Sequence, residues 1–320
     1  MKVVVIGAGL SGLVATRELA RSGVEVEVID KGRSVGGRLA TRRIDDAVLD
    51  HGAQFFTVRG DAFRQTVDDA IADGVVDVWC HGFGEEDGYP RYFCPQGMTA
   101  LAKYVAADAI EHGAQISTGE RVGSLRPVGE GWRVQTDAKR SSVASAIIST
   151  APVPQTLELL DEAGIAVHDG LREIVYKPTL AVLAVLDGPS ALPEPGAIQQ
   201  TEDDLFTFVA DNQMKGVSPI PALTMHVNGA TSEARYDDEP DIVLDDLLGE
   251  GAGFLGNSSV IAAELKKWRF AGPRRPWPDP YVSVGKTGTH LLAGDAFAGP
   301  KVEGAFNSGF LAAKAIISGD

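Results

Sequence analysis

Two hydrophobic rhythms divide the chain. Val3 to Ile6 are continuously apolar, as in a parallel strand covered on both faces, and they stop at a glycine turn. After the turn, apolar positions recur at Leu13, Val14 and Leu19, the spacing of a helix, and Val24 to Ile29 return to an unbroken strand-like run. Further on, a turn at Pro95–Gly97 leads into a predicted helix with Met98, Leu101, Val105 and Ile110 on one apolar face, ended by Gly113. A strand then leads to Val122, and "GWRVQT" and "SSVASAIISTAP" read as a hairpin return and another buried strand, closed by Thr150-Ala151-Pro152. From Val153 to about Phe270 the rhythm changes. "TLAVLAVLD" and "PALTMHVNG" predict antiparallel strands with one wet face, and "DDEPDIVLDDLLGEGAGFL" an acidic capped helix whose charges are a solvated face. The chain closes with a strand, Gly294-Asp295, a loop and a last helix over "KVEGAFNSGFLAAKAI".

Gly7, Gly9 and Gly12 form G-x-G-x-x-G between that first strand and helix. Gly7 allows the tight turn, Gly9 lets backbone approach a pyrophosphate, and Gly12 lets helix and strand pack closely. The N–H groups at the helix start, including that of Ser11, then face phosphate oxygens. Asp30 ends the second strand, where a carboxylate accepts ribose hydroxyls and disfavours a 2′-phosphate on that ribose; Lys31 follows it into the same binding segment. The strands, helix and terminal acid turn a weak motif into a strong one for a dinucleotide, without separating NAD from FAD. "DKGRSVGGRLATRR" follows without a break, so Gly36, Gly37 and Arg38 return toward the same pyrophosphate, with a guanidinium to neutralise it. An ordinary surface turn is the competing reading.

Composition narrows the class. In 320 residues, 44% are hydrophobic and 23% charged, as in a globular protein large enough for a substantial core. The net charge of −15 speaks against nucleic acid and anionic membrane surfaces, which need basic patches. Cys80 and Cys94 show no disulfide or zinc spacing, and no metal site is expected. No stretch reaches the roughly 18 to 20 apolar residues of a membrane span, and the N-terminal apolar run lacks a cleavage site. A cytoplasmic location is expected.

The sequence D-x-x-x-x-x-G-G-R from Asp30 to Arg38 resembles the extended fingerprint of the flavin amine oxidase superfamily. That resemblance implies non-covalent FAD. By position it implies that Gln54, in "LDHGAQFFTVR", lies toward the flavin and that Val122 presents backbone to the adenine. It implies further that Asp295 after Gly294 contacts the ribityl or pyrophosphate region, and that Val302, Glu303, Gly304 and Ala305 offer backbone donors to the flavin N1/C2 edge. The positive end of that last helix would stabilise charge developing there.

Taken together, the N-terminal fingerprint, "DHGAQFFT", "PQGM", "MHVNGATSEA", "KKWRFAGPRRP" and "GDAFAGPKVEGAFNSG" are similar to the renalases, in order along nearly the whole chain. The similarity implies an FAD oxidase of 2- and 6-dihydro-NAD(P), which passes hydride to flavin N5 and electrons to O2, giving NAD(P)+ and H2O2. His226 matches the family's active-site histidine. Lys301 stands where amine oxidases carry a Tyr of their aromatic cage, so the catalytic candidates are His226 and Lys301. Phe55, Thr57 and Arg59 alternate onto one face while their strand lasts and, with Trp268 of the Trp268-Arg269 pair, are the substrate-binding candidates. An amine oxidase or desaturase is the alternative; an NAD dehydrogenase or a non-catalytic flavin binder is less favoured. The fold class is α/β: a Rossmann-like FAD-binding domain (1–58, 95–152, 271–320) and a discontinuous α+β substrate domain on an antiparallel sheet (59–94, 153–270).

Overall fold

The computed structural model describes residues 1–84, 87–285, 289–297 and 299–319. Elements run β1 (Lys2–Ile6), α1 (Leu10–Arg21), β2 (Glu25–Asp30), β3 (Thr41–Ile44), β4 (Ala47–Asp50), α2 (Asp61–Ala72), β5 (Asp77–Cys80) and β6 (Arg91–Phe93). They continue with α3 (Thr99–Glu111), β7 (Gln115–Thr118), β8 (Val122–Val128), β9 (Gly131–Thr136), β10 (Ser141–Ala144) and β11 (Ala146–Ser149). The next stretch holds α4 (Val153–Glu162), α5 (Asp169–Arg172), β12 (Tyr176–Leu186), β13 (Ala197–Gln199), β14 (Phe206–Asp211) and β15 (Ala222–Val227). Last come α6 (Gly229–Ala234), α7 (Pro240–Glu250), α8 (Ala252–Leu255), β16 (Val260–Pro273), β17 (Val282–Ser283), β18 (Thr289–Leu292) and α9 (Val302–Ser318).

The first sheet has the order β17-β18-β11-β1-β2-β7, parallel except for the edge strand β17. Its central strand shows why the apolar run is unbroken. Val3 and Val5 enter one core with α1, α3 and α9, while Val4 and Ile6 enter another beneath the β8–β10 sheet, with Trp132 and Val134. Both faces are dry, so no polar alternation is tolerated.

The second sheet is antiparallel, in the order β13-β14-β15-β12-β16. The expected wet face is absent. Along β12, Leu180, Val182 and Ala184 pack with Val243 and Leu247 of α7, whereas Leu183 and Val185 pack on Ala47 and Leu49 of β4. The β3–β4 hairpin, the segment that enters the cofactor region, covers the second face.

Four further expectations shift. Ile110 is 55% exposed, and Ala109 takes its place on the buried side of α3 with Leu101 and Val105. The segment carrying Phe55, Thr57 and Arg59 is not a continuous strand: β4 ends at Asp50, and only Phe56 makes an isolated bridge, to Tyr92. A third is that α2 packs with the first sheet's helices through Phe63, 4.8 Å from the Phe306 ring, rather than with the second sheet as the grouping of 59–94 with 153–270 predicts. β16 also runs on to Pro273, three residues past the expected boundary. Among the described residues no helix is long and apolar enough to cross a membrane.

Candidate active site

The glycine turn after β1 is held from both sides. Gly7 donates its N–H to Ile29 O (2.9 Å), and the N–H of Ala8 reaches Asp30 Oδ2 at 2.6 Å. The other carboxylate oxygen of Asp30 accepts the Gly32 N–H at 2.5 Å, so this acid organises the loop at the ribose end as well as offering lone pairs. Gly36 donates to Ala8 O at 2.8 Å and pairs as a short parallel bridge with Gly9. Gly36 (φ +115°) and Gly37 (φ +54°) adopt the left-handed backbone that glycine favours, and this turns the second loop onto the first. A Cβ built on Gly9 would meet nothing within 4 Å, so the cradle above it is open. Helix α1 begins at Gly9 without a side-chain cap, and the buried Ser11 Oγ has no hydrogen-bond partner among the described residues. The chain after β7 runs along the same edge, Gly119 N–H to Gly32 O and Glu120 N–H to Asp30 O, and delivers Val122 there. Lys31 points elsewhere: exposed, it donates to Gln155 Oε1 at 2.9 Å, tying α4 to the rim.

Arg38 joins this cradle to the end of the chain. Its guanidinium makes a two-pronged pair with Asp295 (2.5 and 2.6 Å) and donates to the carbonyls of Phe270 and Ala271. Gly294, at φ +133°, holds Asp295 beside it. Helix α9 starts from Lys301, exposed and without a side-chain cap. Its first turn corrects the expected donor set. Ala305 N–H is spent on Lys301 O at 3.0 Å, leaving Val302, Glu303 and Gly304 as the N–H groups with no acceptor among the described residues. The Glu303 side chain serves another helix: Oε1 accepts from Gly60 N (2.6 Å) and Arg59 N (3.0 Å), capping α2. That contact fixes the Arg59 backbone against the first turn of α9, which Lys301 precedes; both residues are exposed, and the Arg59 guanidinium lies over the Tyr89 ring, 5.8 Å from its centroid.

Gln54, on the segment after β4, is buried. Its Nε2 donates to Asp50 O at 2.6 Å, and its Oε1 has no partner among the described residues. Across the second sheet, the register aligns Lys266, Ala181, His226 and Phe208 in one row, on the face that meets β4. His51 stacks on Trp268 (centroids 5.2 Å apart), whose Nε1 donates to the His51 carbonyl at 2.7 Å. Burial, helped by the charge on Lys266, pushes the His51 imidazole down to about 4; burial does the same for His226. His226 Nε2 and His51 Nδ1 are buried and unpaired among the described residues, so both rings are neutral near pH 7. Phe55 turns toward the second sheet, 5.0 Å from Phe83 and 5.7 Å from Phe208, while Thr57 is half-buried.

Sequence reasoning passed over two residues here. Asp50 and Lys215 form an ion pair at 2.8 Å with both side chains fully buried. Asp50 stands directly before His51, and its carboxylate at the end of the apolar run Ala47–Leu49 is the signal that marks it; Lys215 carries no local signal, because its partner lies far away in sequence.

Residues 5–70 match an NAD(P)-binding Rossmann-like domain, and residues 76–317 match the family described as flavin containing amine oxidoreductase. Renalase from Mus musculus is 26% identical over 184 residues, 54% of this chain and 53% of that protein, so the chain spans about half the length of this curated relative. An oxidoreductase structure from Methanosarcina mazei superposes with a TM-score of 0.68 at 15% identity, covering 98% of this chain and 100% of that one. A crystal structure from Exiguobacterium sp. 255-15 gives 0.72 at 13% identity over 100% and 99%. The residues present fit FAD: an open cradle at Gly9, orphaned buried oxygens on Ser11 and Gln54, and unspent N–H groups at two helix starts suit a long molecule gripped at both ends. The chain belongs to the flavin-containing amine oxidoreductases, FAD-dependent oxidoreductases, and FAD is its cofactor.

Proposed function

We propose that the protein is an oxidase of dihydronicotinamide nucleotides, in particular the 2- and 6-dihydro isomers of NAD(P). The observation that carries this reading is that two exposed basic residues flank the first turn of α9, Lys301 preceding it and Arg59 tied to it by its backbone N–H to Glu303, so that long cationic side chains are within reach of a nucleotide phosphate there. The resemblance to renalases points the same way. Bound FAD supplies a two-electron acceptor that takes hydride and returns electrons to oxygen. The sum balances as dihydro-NAD(P) plus O2 plus a proton giving NAD(P)+ and H2O2.

The chain's own part is binding, orientation and exclusion of water. His226, His51 and Trp268 offer a wall of neutral and aromatic groups, suited to a flat uncharged ring. Hydride transfer needs the donor carbon aligned rather than a general base, and small misplacements of a donor cost large factors in rate. A pocket that aligns C2 or C6 therefore discriminates against C4. Amine oxidation is the second reading, favoured by the family's description; Lys301 at the rim would repel a cationic amine. Anaerobic mixing with a panel of substrates separates the two. Rapid flavin bleaching by 2- or 6-dihydro-NAD(P), slow bleaching by ordinary NADH, and colour and peroxide returning in air are the expected results. Bleaching by a primary amine with no response to the dihydro isomers would overturn the proposal.

A further inference from the structure

Asp50 closes β4, the strand that feeds the flavin segment, and none of its polar groups is idle. Its carboxylate accepts from Thr41 Oγ1 (2.6 Å), Met98 N (2.8 Å) and Lys215 Nζ (2.8 Å). Its N–H donates to Asn212 Oδ1 at 3.2 Å, and its carbonyl accepts from Thr224 Oγ1 (2.9 Å) and Gln54 Nε2 (2.6 Å). Asn212 Nδ2 also donates to Thr224 Oγ1 at 3.0 Å. Lys215, Asn212 and Thr224 all come from β15 and the turn after β14, hence from the second sheet. Lys215 Nζ sits over the Trp79 ring at 5.0 Å, and its side chain has no solvent exposure.

Such a pair is a poor source of stability. Removing two charges from water offsets most of their attraction, and well-packed apolar residues commonly serve as well. What a fully bonded ionic hub does supply is a fixed geometry. Here the hub ends in one buried atom left without a partner among the described residues, Gln54 Oε1, on the segment that follows β4.

We propose that Lys215 and Thr224 are positioning residues that, through Asp50, hold the Gln54 amide with Oε1 presented to the flavin, so that the seating of the second sheet is read at the cofactor. The proposal rests on Gln54 facing the flavin and is independent of which substrate is oxidised. It names an inter-sheet device acting on cofactor binding and not only on catalysis.

The test uses apoprotein titrated with FAD, with affinity and the shape of the visible flavin band as readouts. Gln54→Leu, Lys215→Met and Thr224→Val should each weaken FAD binding about two- to ten-fold, the range for one lost hydrogen bond, and should alter the band in the same way. Because Lys215 acts through Gln54, Gln54→Leu combined with Lys215→Met should bind FAD no more weakly than Gln54→Leu alone. If Lys215→Met does not yield folded protein, Thr224→Val, which removes a single hydroxyl, completes the same cycle. Additive losses in the double variant would overturn the proposal, as would a wild-type band in Lys215→Met and Thr224→Val. A Gln54→Leu protein identical to wild type in both readouts would overturn the proposal together with the placement of Gln54. The substrate reading built on Arg59 and Lys301 would survive that result.

Discussion

His290 has no exposure: its ring packs edge-on against Trp132 (centroids 5.2 Å apart), its Nε2 lies 2.8 Å from Ser149 Oγ, and its Nδ1 has no hydrogen-bond partner among the described residues. Burial alone pushes its pKa down to about 3. The folded pKa lies below the unfolded value of about 6.5, so the unfolded chain takes up the proton first. The stability that neutral His290 contributes is therefore complete above about pH 6.5 and lost as pH falls from there toward 3, at about 1.4 kcal/mol per unit. Urea unfolding across that window should show His290→Gln with a shallower loss than wild type; parallel curves would remove His290 as a contributor. At this scale the sequence was most legible where a residue's backbone position sets its role. Asp30 and Asp295 lie beside the loops their motifs place them in, and Gln54 is buried next to β4. Side-chain direction was less legible. Lys31 reaches α4, and Glu303 caps α2, because each found a partner far along the chain that no local pattern encodes.

At the scale of elements, the two helix starts proposed to grip FAD belong to helices that cross each other. A Cβ built on Gly309 of α9 would lie 2.0 Å from the Ser11 carbonyl of α1, far inside contact distance. Glycine is needed there for approach rather than for an unusual dihedral. Gly309→Ala should push α9 away from α1, with an overpacking cost of about 1–3 kcal/mol. It should also weaken FAD binding, because the start of α9 moves with it. Thermal denaturation and FAD titration check this, and an unchanged melting temperature with unchanged affinity would refute the crossing argument. Elements were legible where periodicity was clean. They were misread where it was not. Ile110 lies five residues past Val105, off the stripe that Ala109 completes, and the unbroken run Leu180–Leu186 reports two dry faces rather than the alternation of a half-wet sheet. The break after Asp50 left no periodic trace, since the flavin segment is shaped by long-range bonds such as Ala53 N–H to Arg38 O.

For the whole molecule, the two sheets meet through polar links laid in an apolar seam: Arg38 with Asp295 and the end of β16, and Asp50 with Lys215. The order of motifs made the two-sheet plan readable, but the meeting of β4 with β15 joins residues more than 160 positions apart and leaves no local mark. The Asp50–Lys215 link allows stability and function to be separated. Lys215→Met leaves a carboxylate buried without its counter-charge, which should cost about 3–5 kcal/mol of unfolding free energy. Replacing both partners, Asp50→Leu with Lys215→Met, removes the stranded charge and should recover much of that loss, since apolar pairs of similar volume are commonly neutral or better in such sites. Recovery should be partial, because Met98 N–H and Thr41 Oγ1 then lose their acceptor. Denaturant unfolding of the apoproteins measures both steps. A double variant as unstable as the single one would mean that the pair's own attraction, not the stranded charge, carries the energy. With stability largely restored, the pair's remaining role lies in where it holds β4 against the second sheet.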